Sequence, residues 1–280
     1  MALSAIDIYK KILPKTNCKE CGYLTCMAFA SMVVSEKLPL GRCPHISADA
    51  VARYQPELIE QYQAGKWIKR DPAQDALVWA KERAASMNLA DLPGRIGGQL
   101  INTDDGPCLE LPYFQDVLLI FSSGVRTKSG EELNRWEQVF IYNHLAQGGS
   151  EPPTGRWKAL EEIPNTVSKV KSMRQHVEIP LQTRFSGHLQ DLRAAADNLG
   201  GREMTGQDKT AQVVYLFWPL PRIPVQLMFW DADPSEGFEA KASLLFDETI
   251  TRHLDIESII FLSEQLSRRL MGETDNSEAD

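Results

Sequence analysis

A run near the amino terminus reads Cys18-Lys-Glu-Cys21-Gly-Tyr-Leu-Thr-Cys26, and a fourth cysteine follows in Cys43-Pro44. The chain has five cysteines, so four of them lie within its first 43 residues. Three thiolates on one short loop can surround a metal cluster, and a fourth that arrives after a helix can close the site. The spacing Cys18-x2-Cys21-x4-Cys26-x16-Cys43 therefore predicts four metal ligands and decides the local fold of this region.

The kind of metal centre depends on the chemistry and spacing of these thiols. Thiolates are the usual ligands of iron–sulfur clusters, and Gly22 permits a backbone bend that a β-carbon would resist. Four cysteines can also hold structural zinc, but such sites usually arrive as two Cys-x2-Cys pairs. The spacing favours a [4Fe–4S] cluster as the cofactor, with a zinc site and an unmetallated set of thiols as alternatives. The fifth cysteine, Cys108, is interpreted as a bystander.

The same stretch resembles a known family. Residues 18–30, followed by Cys43-Pro44, are similar to the small four-cysteine [4Fe–4S] domain of corrinoid iron–sulfur proteins and of some electron-transfer subunits of anaerobes. The resemblance covers about the first 48 residues and includes Gly22, Phe29 and Ala30 as well as the cysteines. It implies one iron of a low-potential cluster on each of four ligands, namely Cys18, Cys21, Cys26 and Cys43.

The rest of the chain resembles an uncharacterised domain family that follows such cluster domains in strictly anaerobic bacteria and archaea. The similarity lies in residues 221–233, Pro-Arg-Ile-Pro-Val-Gln-Leu-Met-Phe-Trp-Asp-Ala-Asp, and in Leu245-Phe246-Asp247. This second resemblance implies a fold but hardly a function. The barrel and the cobalamin-binding parts of corrinoid proteins have no match in this sequence. The resemblance therefore does not imply that this chain binds a corrinoid.

Composition limits the class of protein. The 280 residues are 43% hydrophobic and 24% charged, which is enough for a core and excludes bulk disorder. Thirty basic against 38 acidic side chains give a net charge of −8, which argues against nucleic-acid binding. No apolar run is long enough for a membrane span, and residues 1–15 lack the order of a signal peptide. We expect a cytoplasmic protein, in which clustered cysteines favour metal over disulfides.

The pattern of apolar residues and helix breakers predicts an α+β protein. We expect a small helical cluster-binding domain over residues 1–48, a larger α+β domain with a mainly antiparallel sheet over residues 49–272, and a disordered acidic tail over residues 273–280.

Individual elements follow from the same pattern. Ser4 with Asp7 predicts a capping box at the start of the first helix. A wide hairpin is expected between two interior strands because prolines occupy positions 219, 221 and 224. Helices are predicted over residues 4–14, 26–37, 131–145 and 255–272. Residues 167–199 are predicted to be helical with a break near Pro180, and residues 49–95 to be helical with breaks at Pro56, Pro72 and Pro93. The predicted strands cover residues 116–122, 211–218, 223–230 and 240–246.

Outside the cysteines, two sets of residues invite a functional interpretation. His45 lies next to the cysteine loop and could tune the centre, although a surface histidine is the plainer interpretation. Acidic residues crowd the ends of two predicted strands and could form a divalent-metal or acid/base site, but such residues more often cap loops in solvent. They are Asp231, Asp233, Glu236, Glu239, Asp247 and Glu248.

The sequence predicts an iron–sulfur protein of anaerobic metabolism that transfers single electrons, or has a redox accessory role, with a redox protein as its partner. One alternative is a reductive enzyme or metallocofactor activator whose active site lies in the larger domain. Another is a binding module that zinc holds together. No catalytic residue is assigned, because no complete catalytic constellation occurs outside the cysteines.

Overall fold

The computed structural model describes residues 3–65, 72–204 and 211–273. The chain divides into two units, Met1–Pro72 and Ala73–Asp280. The α+β fold class is confirmed, with a helical first unit and antiparallel sheets in the second. Most of the predicted acidic tail, residues 274–280, lies outside the described residues. None of the described helices is long and apolar enough to cross a membrane.

Three helices and one short turn occur among residues 3–65 of the first unit. Helix α1 begins after Ser4, whose side chain accepts a hydrogen bond from the Asp7 N–H while the Asp7 carboxylate accepts one from the Ser4 N–H. This is the predicted capping box, which satisfies two free N–H groups at the helix start. The elements are α1 (Ala5–Lys11), α2 (Cys26–Ser35), a 3-10 turn (Leu40–Arg42) and α3 (Ala48–Gln63).

Helix α3 completes the core of the first unit. Leu58 is fully buried in the same apolar cluster as three of the cysteines, and Gln61 accepts a 2.7 Å hydrogen bond from the Leu3 N–H. The predicted break at Pro56 is wrong, because α3 continues through this proline. Proline removes one helical hydrogen bond, and burial of Leu58 and Gln61 on the following turn offsets that cost.

The described residues of the second unit form two antiparallel sheets. The first is a meander in the order β1-β2-β3-β4, and the second has five strands in the order β5-β9-β8-β7-β6. Strands β7 and β8 are almost wholly buried, as their continuous apolar runs predict. The strands are β1 (Gln99–Thr103), β2 (Gly106–Tyr113), β3 (Asp116–Phe121), β4 (Gly124–Thr127), β5 (Trp157–Ala159), β6 (Arg202–Glu203), β7 (Val213–Leu220), β8 (Ile223–Trp230) and β9 (Lys241–Asp247).

Helices of the second unit share one core with these sheets. Trp136 of α6 stacks on Phe261 of α10 with ring centroids 4.5 Å apart, and Asp255 and Gly272 cap the two ends of α10 as predicted. The helices are α4 (Pro72–Ala84), α5 (Leu92–Ile96), α6 (Arg135–Gln147), α7 (Val167–Met173), α8 (Ile179–Phe185), α9 (Leu189–Asn198) and α10 (Ile256–Met271), with a π turn (Arg174–Glu178) between α7 and α8.

The predicted wide hairpin between β7 and β8 is wrong. Leu220 pairs directly with Ile223, so only two residues make the turn. The strand register shifts between Phe217 and Leu220, and neither Pro219 nor Pro224 has a partner in the regular pairing. The bulge accommodates the prolines, which have no N–H to donate to the neighbouring strand. Strand pairing therefore continues up to the two-residue turn, although the prolines predict that it ends earlier.

Candidate metal centre

The four clustered cysteines lie in the first unit and differ in exposure. Cys18 is exposed, whereas Cys21, Cys26 and Cys43 are only 8%, 6% and 4% exposed. Three of them lie on the loop between α1 and α2 or at its junction with α2, and Cys43 follows the 3-10 turn. The thiols of Cys18, Cys21 and Cys26 each act electrostatically on Cys43. The fold therefore brings together the four residues that the spacing selects.

The loop that carries Cys18 and Cys21 has an unusual backbone. Lys15, Asn17 and Lys19 have φ angles of 63°, 51° and 68°, and Gly22 has a φ of 89°. Left-handed conformations are costly for residues other than glycine and persist where the surrounding structure requires them. The surrounding structure therefore holds this loop in a conformation that its lysine and asparagine residues would otherwise avoid.

Helix α2 begins at the third cysteine of the loop. Thr25 caps the helix by accepting a 3.0 Å hydrogen bond from the Ala28 N–H, which puts Cys26 at the first helical position. The Cys26 N–H donates a 2.8 Å hydrogen bond to the side-chain oxygen of Asn17. Because the N-terminus of a helix carries partial positive charge, a bound anionic group is favoured beside this position.

Cys43 is held by backbone contacts on both sides. Its N–H donates to the carbonyl of Leu40 at 3.1 Å, and its sulfur accepts a hydrogen bond from the His45 N–H. Burial raises the pKa of the Cys43 thiol, and the three neighbouring cysteines add to the rise, while the His45 N–H opposes it. Bringing four thiolates together is therefore unfavourable without a cation, and a metal ion or cluster would supply the missing positive charge.

Apolar side chains surround the three buried cysteines. Phe29, Ala30 and Leu40 are fully buried in the same cluster, and Tyr23 packs on Phe29 with ring centroids 5.9 Å apart. Limited solvent access and N–H donors to sulfur are the two protein features that tune an iron–sulfur cluster. Both features are present here, so the donor set and its surroundings fit such a cluster.

A carboxylate and an imidazole lie beside the exposed cysteine. His45 Nε2 and Glu20 Oε2 are 3.0 Å apart, and the ligand atoms of Cys18, Glu20 and His45 all lie within 4.8 Å of one another. The sequence singled out His45 but not Glu20 or Asn17. The Cys-x-Glu-Cys spacing could have suggested Glu20, whereas the role of Asn17 depends on its backbone conformation.

The acidic residues at the strand ends make contacts that stabilise loops. Asp247 accepts hydrogen bonds from the N–H groups of Gly155 and Thr249, and Glu248 pairs with Arg156. Asp231 and Asp233 likewise accept from nearby N–H groups, those of Gly187 and Ser235. Three of the six residues thus hold loop N–H groups and Glu248 forms an ion pair. Burial acts to raise the pKa of Asp247, but these hydrogen bonds hold it below its usual value.

Cys108 lies on β2 and is fully buried. Burial raises the pKa of its thiol, and Glu110 adds to the rise. A buried thiol of this kind is a poor nucleophile and behaves as a small apolar side chain.

Comparison with known proteins places the amino-terminal region in a class. A family model described as "Putative Fe-S cluster" matches residues 13–45, the stretch that holds all four clustered cysteines. This match supports an iron–sulfur cofactor in the first unit. The chain as a whole belongs to the family described as Domain of unknown function (DUF3786), whose model matches residues 88–269. Both parts of the family resemblance are thereby confirmed.

Curated relatives match only the amino-terminal region. The acetyl-CoA decarbonylase/synthase complex subunit gamma of Methanocaldococcus jannaschii is 43% identical over 58 residues, which are 21% of this chain and 12% of that protein. The corrinoid/iron-sulfur protein large subunit of Moorella thermoacetica is 51% identical over 47 residues, 17% of this chain and 10% of that protein. The chain thus spans about a tenth of the length of these relatives. No solved structure matches it.

Proposed function

We propose that this protein binds one [4Fe–4S] cluster and transfers single electrons between that cluster and a redox protein. The observation that carries the proposal is the arrangement of Cys18, Cys21, Cys26 and Cys43, in which three cysteines are buried, one is exposed, and the other three lie near enough to Cys43 to raise its pKa. Buried ligands exclude water from most of the site, whereas an exposed ligand gives a partner close approach to one edge.

Each ligand has a part that follows from its place in the fold. Cys21, Cys26 and Cys43 hold the cluster against the apolar side chains of the unit, and Cys18 holds its solvent-facing edge. When bound, the cluster supplies one-electron redox chemistry at a potential that nearby charge and hydrogen bonds set. The N–H of His45, which donates to the Cys43 sulfur, stabilises the thiolate form of that ligand.

The amino-terminal relatives support the iron–sulfur part of the proposal. One bears the name corrinoid/iron-sulfur protein large subunit, and others are gamma subunits of an acetyl-CoA decarbonylase/synthase complex. From these names we infer a role in anaerobic, cytoplasmic metabolism together with a protein partner. The match to the DUF3786 family names no activity, so a catalytic role for the second unit is not part of the proposal.

The domain boundaries are also part of the proposal. We keep residues 1–48 as the segment that supplies every cluster ligand and residues 49–272 as the segment that follows it. Leu58 and Gln61 of α3 are buried with the cysteine-bearing core. A fragment meant to hold the cluster should therefore extend through α3.

Anaerobic purification of the full chain tests the proposal. We expect a brown protein with about four irons and four sulfides per chain, and an EPR signal after reduction with dithionite. Cys43→Ala should lose or degrade the cluster, whereas Cys108→Ala, the matched control, should retain it. A colourless protein with one zinc per chain would contradict both the cofactor and the electron-transfer function. An intact cluster in Cys43→Ala would contradict the ligand assignment.

A further inference from the structure

Charge is distributed unevenly along this chain. Residues 1–48 carry six basic and three acidic side chains, whereas the remaining 232 residues carry 24 basic and 35 acidic ones. Apart from the cysteine thiols, the side chains of this segment are thus positive on balance, in a protein whose net charge is −8. A positive segment around a candidate redox centre bears on which partners can approach it.

Acidic side chains of this segment make local contacts. Asp7 pairs with Lys11 at 2.8 Å, and the Glu20 carboxylate is 3.0 Å from His45 Nε2. Two of the three acidic side chains are therefore engaged within the unit. Exposed lysines flank the first cysteine at positions 15 and 19, so they stay available to an incoming partner.

Exposed apolar side chains lie on the same loop. Leu24 is 74% exposed and Met27 is 37% exposed, and these residues flank Cys26. The hydrogen bond from the Cys26 N–H to Asn17 joins this part of the loop to the part that carries Lys15, Lys19 and the exposed Cys18. These two exposed apolar side chains, next to a candidate redox centre, are available to contact a partner.

One basic residue extends this surface across the loop. The Arg42 guanidinium lies over the Tyr23 ring, 5.7 Å from its centroid, and comes within 3.7 Å of the position that a β-carbon on Gly22 would occupy. The cluster-loop face is defined here as Lys15, Lys19, Leu24, Met27 and Arg42. It combines exposed basic and apolar side chains on the segments that carry the cysteines.

We propose that the cluster-loop face docks an acidic protein that carries single electrons. This inference rests on the proposed electron-transfer function. One electron leaves the reduced cluster and enters the oxidised centre of the partner, and no bond forms or breaks. Charge complementarity selects a partner with carboxylates around its own redox centre, and Leu24 and Met27 supply the apolar contact that aligns the two centres. Such interfaces are small and short-lived.

The dependence of the transfer rate on salt tests the docking surface. Dithionite-reduced holoprotein is mixed in a stopped-flow instrument with an acidic ferredoxin as acceptor, or with a basic c-type cytochrome. If the cluster-loop face docks, the rate with the acidic ferredoxin falls as salt rises, about tenfold between low and high ionic strength, and the rate with the cytochrome does not fall. If the net charge of −8 governs the encounter instead, the rate with the ferredoxin rises with salt and the rate with the cytochrome falls.

Matched variants locate the effect on the molecule. Lys15→Gln with Lys19→Gln should reduce the salt dependence and slow transfer at low salt, while the rate at high salt stays at the wild-type value. A changed cluster potential would alter the rate at every salt concentration. The control is Lys171→Gln with Arg174→Gln, which removes two exposed positive charges from the second unit. Leu24→Ser should slow transfer, and Ile59→Ser, at a 45% exposed residue of α3, should not.

Binding measured with both proteins reduced, so that no electron flows, separates docking from function. Binding of the acidic ferredoxin that weakens with salt and in the double lysine variant supports the docking surface. If the double lysine variant transfers electrons with the same salt dependence as wild type, the docking proposal is wrong and the electron-transfer function is unaffected. Holoprotein that binds the ferredoxin but reduces neither carrier overturns the proposed function alone. Self-association that the lysine variant abolishes would assign the face to a second copy of this chain and overturn the proposal.

Discussion

The backbone N–H of Cys26 donates a 2.8 Å hydrogen bond to the side-chain oxygen of Asn17. Asn17 immediately precedes Cys18 and has a left-handed backbone, with a φ of 51°. This one contact closes the cysteine loop, because it ties the segment before the first ligand to the helix that begins at the third. It also explains why an asparagine suits the position, since asparagine tolerates positive φ better than most residues.

Asn17→Ala should make the cluster more labile. The substitution removes the acceptor for Cys26 and places a less tolerant residue at positive φ, together worth about 1–2 kcal/mol of loop stability. Asn17→Gly removes only the hydrogen bond, because glycine adopts positive φ freely. The visible absorbance should therefore bleach in air fastest in Asn17→Ala, more slowly in Asn17→Gly and most slowly in wild type. Equal rates for alanine and wild type would contradict the closing role of this contact.

The four proposed ligands should differ in whether an external thiol can replace them. Cys18 is exposed and Cys43 is 4% exposed. In Cys18→Ala a small thiol from solvent can reach the empty ligand position, so added 2-mercaptoethanol should restore iron content and the EPR signal. In Cys43→Ala the buried position blocks such rescue. Comparable rescue of both variants would show that the two ligands do not differ in accessibility.

The sequence alone indicates the four clustered cysteines as the candidate site, because the spacing of thiols along the chain can be recognised without knowledge of the fold. It missed Asn17 and Glu20, since their roles depend on a left-handed backbone and on the proximity of His45. The continuous apolar runs of β7 and β8 and the caps of α10 were likewise visible as local patterns.

Prolines account for the main errors in the predicted fold. Strand β2 contains Pro107 and Pro112 and was not predicted, and its partner β1 is an edge strand with little burial. Residues 167–199 form three helices and a π turn, where one or two helices were expected. A proline removes one backbone N–H donor from a helix or strand. The helix or strand still forms where burial of its other side chains offsets that loss, as in α3 at Pro56.

Acid should destabilise the second unit through His144. Burial lowers the pKa of this histidine to about 4. Its Nδ1–H donates to the His253 carbonyl at 3.1 Å, and its Nε2 is buried with no acceptor among the residues that the structure describes. A proton added to Nε2 would have no acceptor there, so the folded protein favours the neutral imidazole of His144. Because the unfolded histidine titrates near 6.5, stability from this group is complete above that pH and is lost as pH falls toward 4, by about 3 kcal/mol.

His144→Asn isolates this contribution. The asparagine side-chain N–H can still donate to the His253 carbonyl but does not titrate. Urea unfolding followed by tryptophan fluorescence suits the measurement, because five of the six tryptophans lie in the second unit. The difference in unfolding free energy between wild type and variant should shrink between pH 7 and pH 4. A difference that stays constant over this range would show that His144 is not the responsible group.

Gly148→Ala should destabilise the junction that follows α6. A β-carbon at this position would lie 2.4 Å from Ile96 Cγ2 and 2.6 Å from the His144 carbonyl oxygen. The carbonyl belongs to the backbone and cannot yield easily, so overpacking should cost about 1–3 kcal/mol. Gly94→Ala is the matched control, because a β-carbon there meets no atom within 4 Å and alanine favours the α5 helix. Thermal unfolding should show a lower Tm for the first variant and an unchanged or higher Tm for the second. A Gly148→Ala variant as stable as wild type would mean that Ile96 and the end of α6 can move apart at no cost.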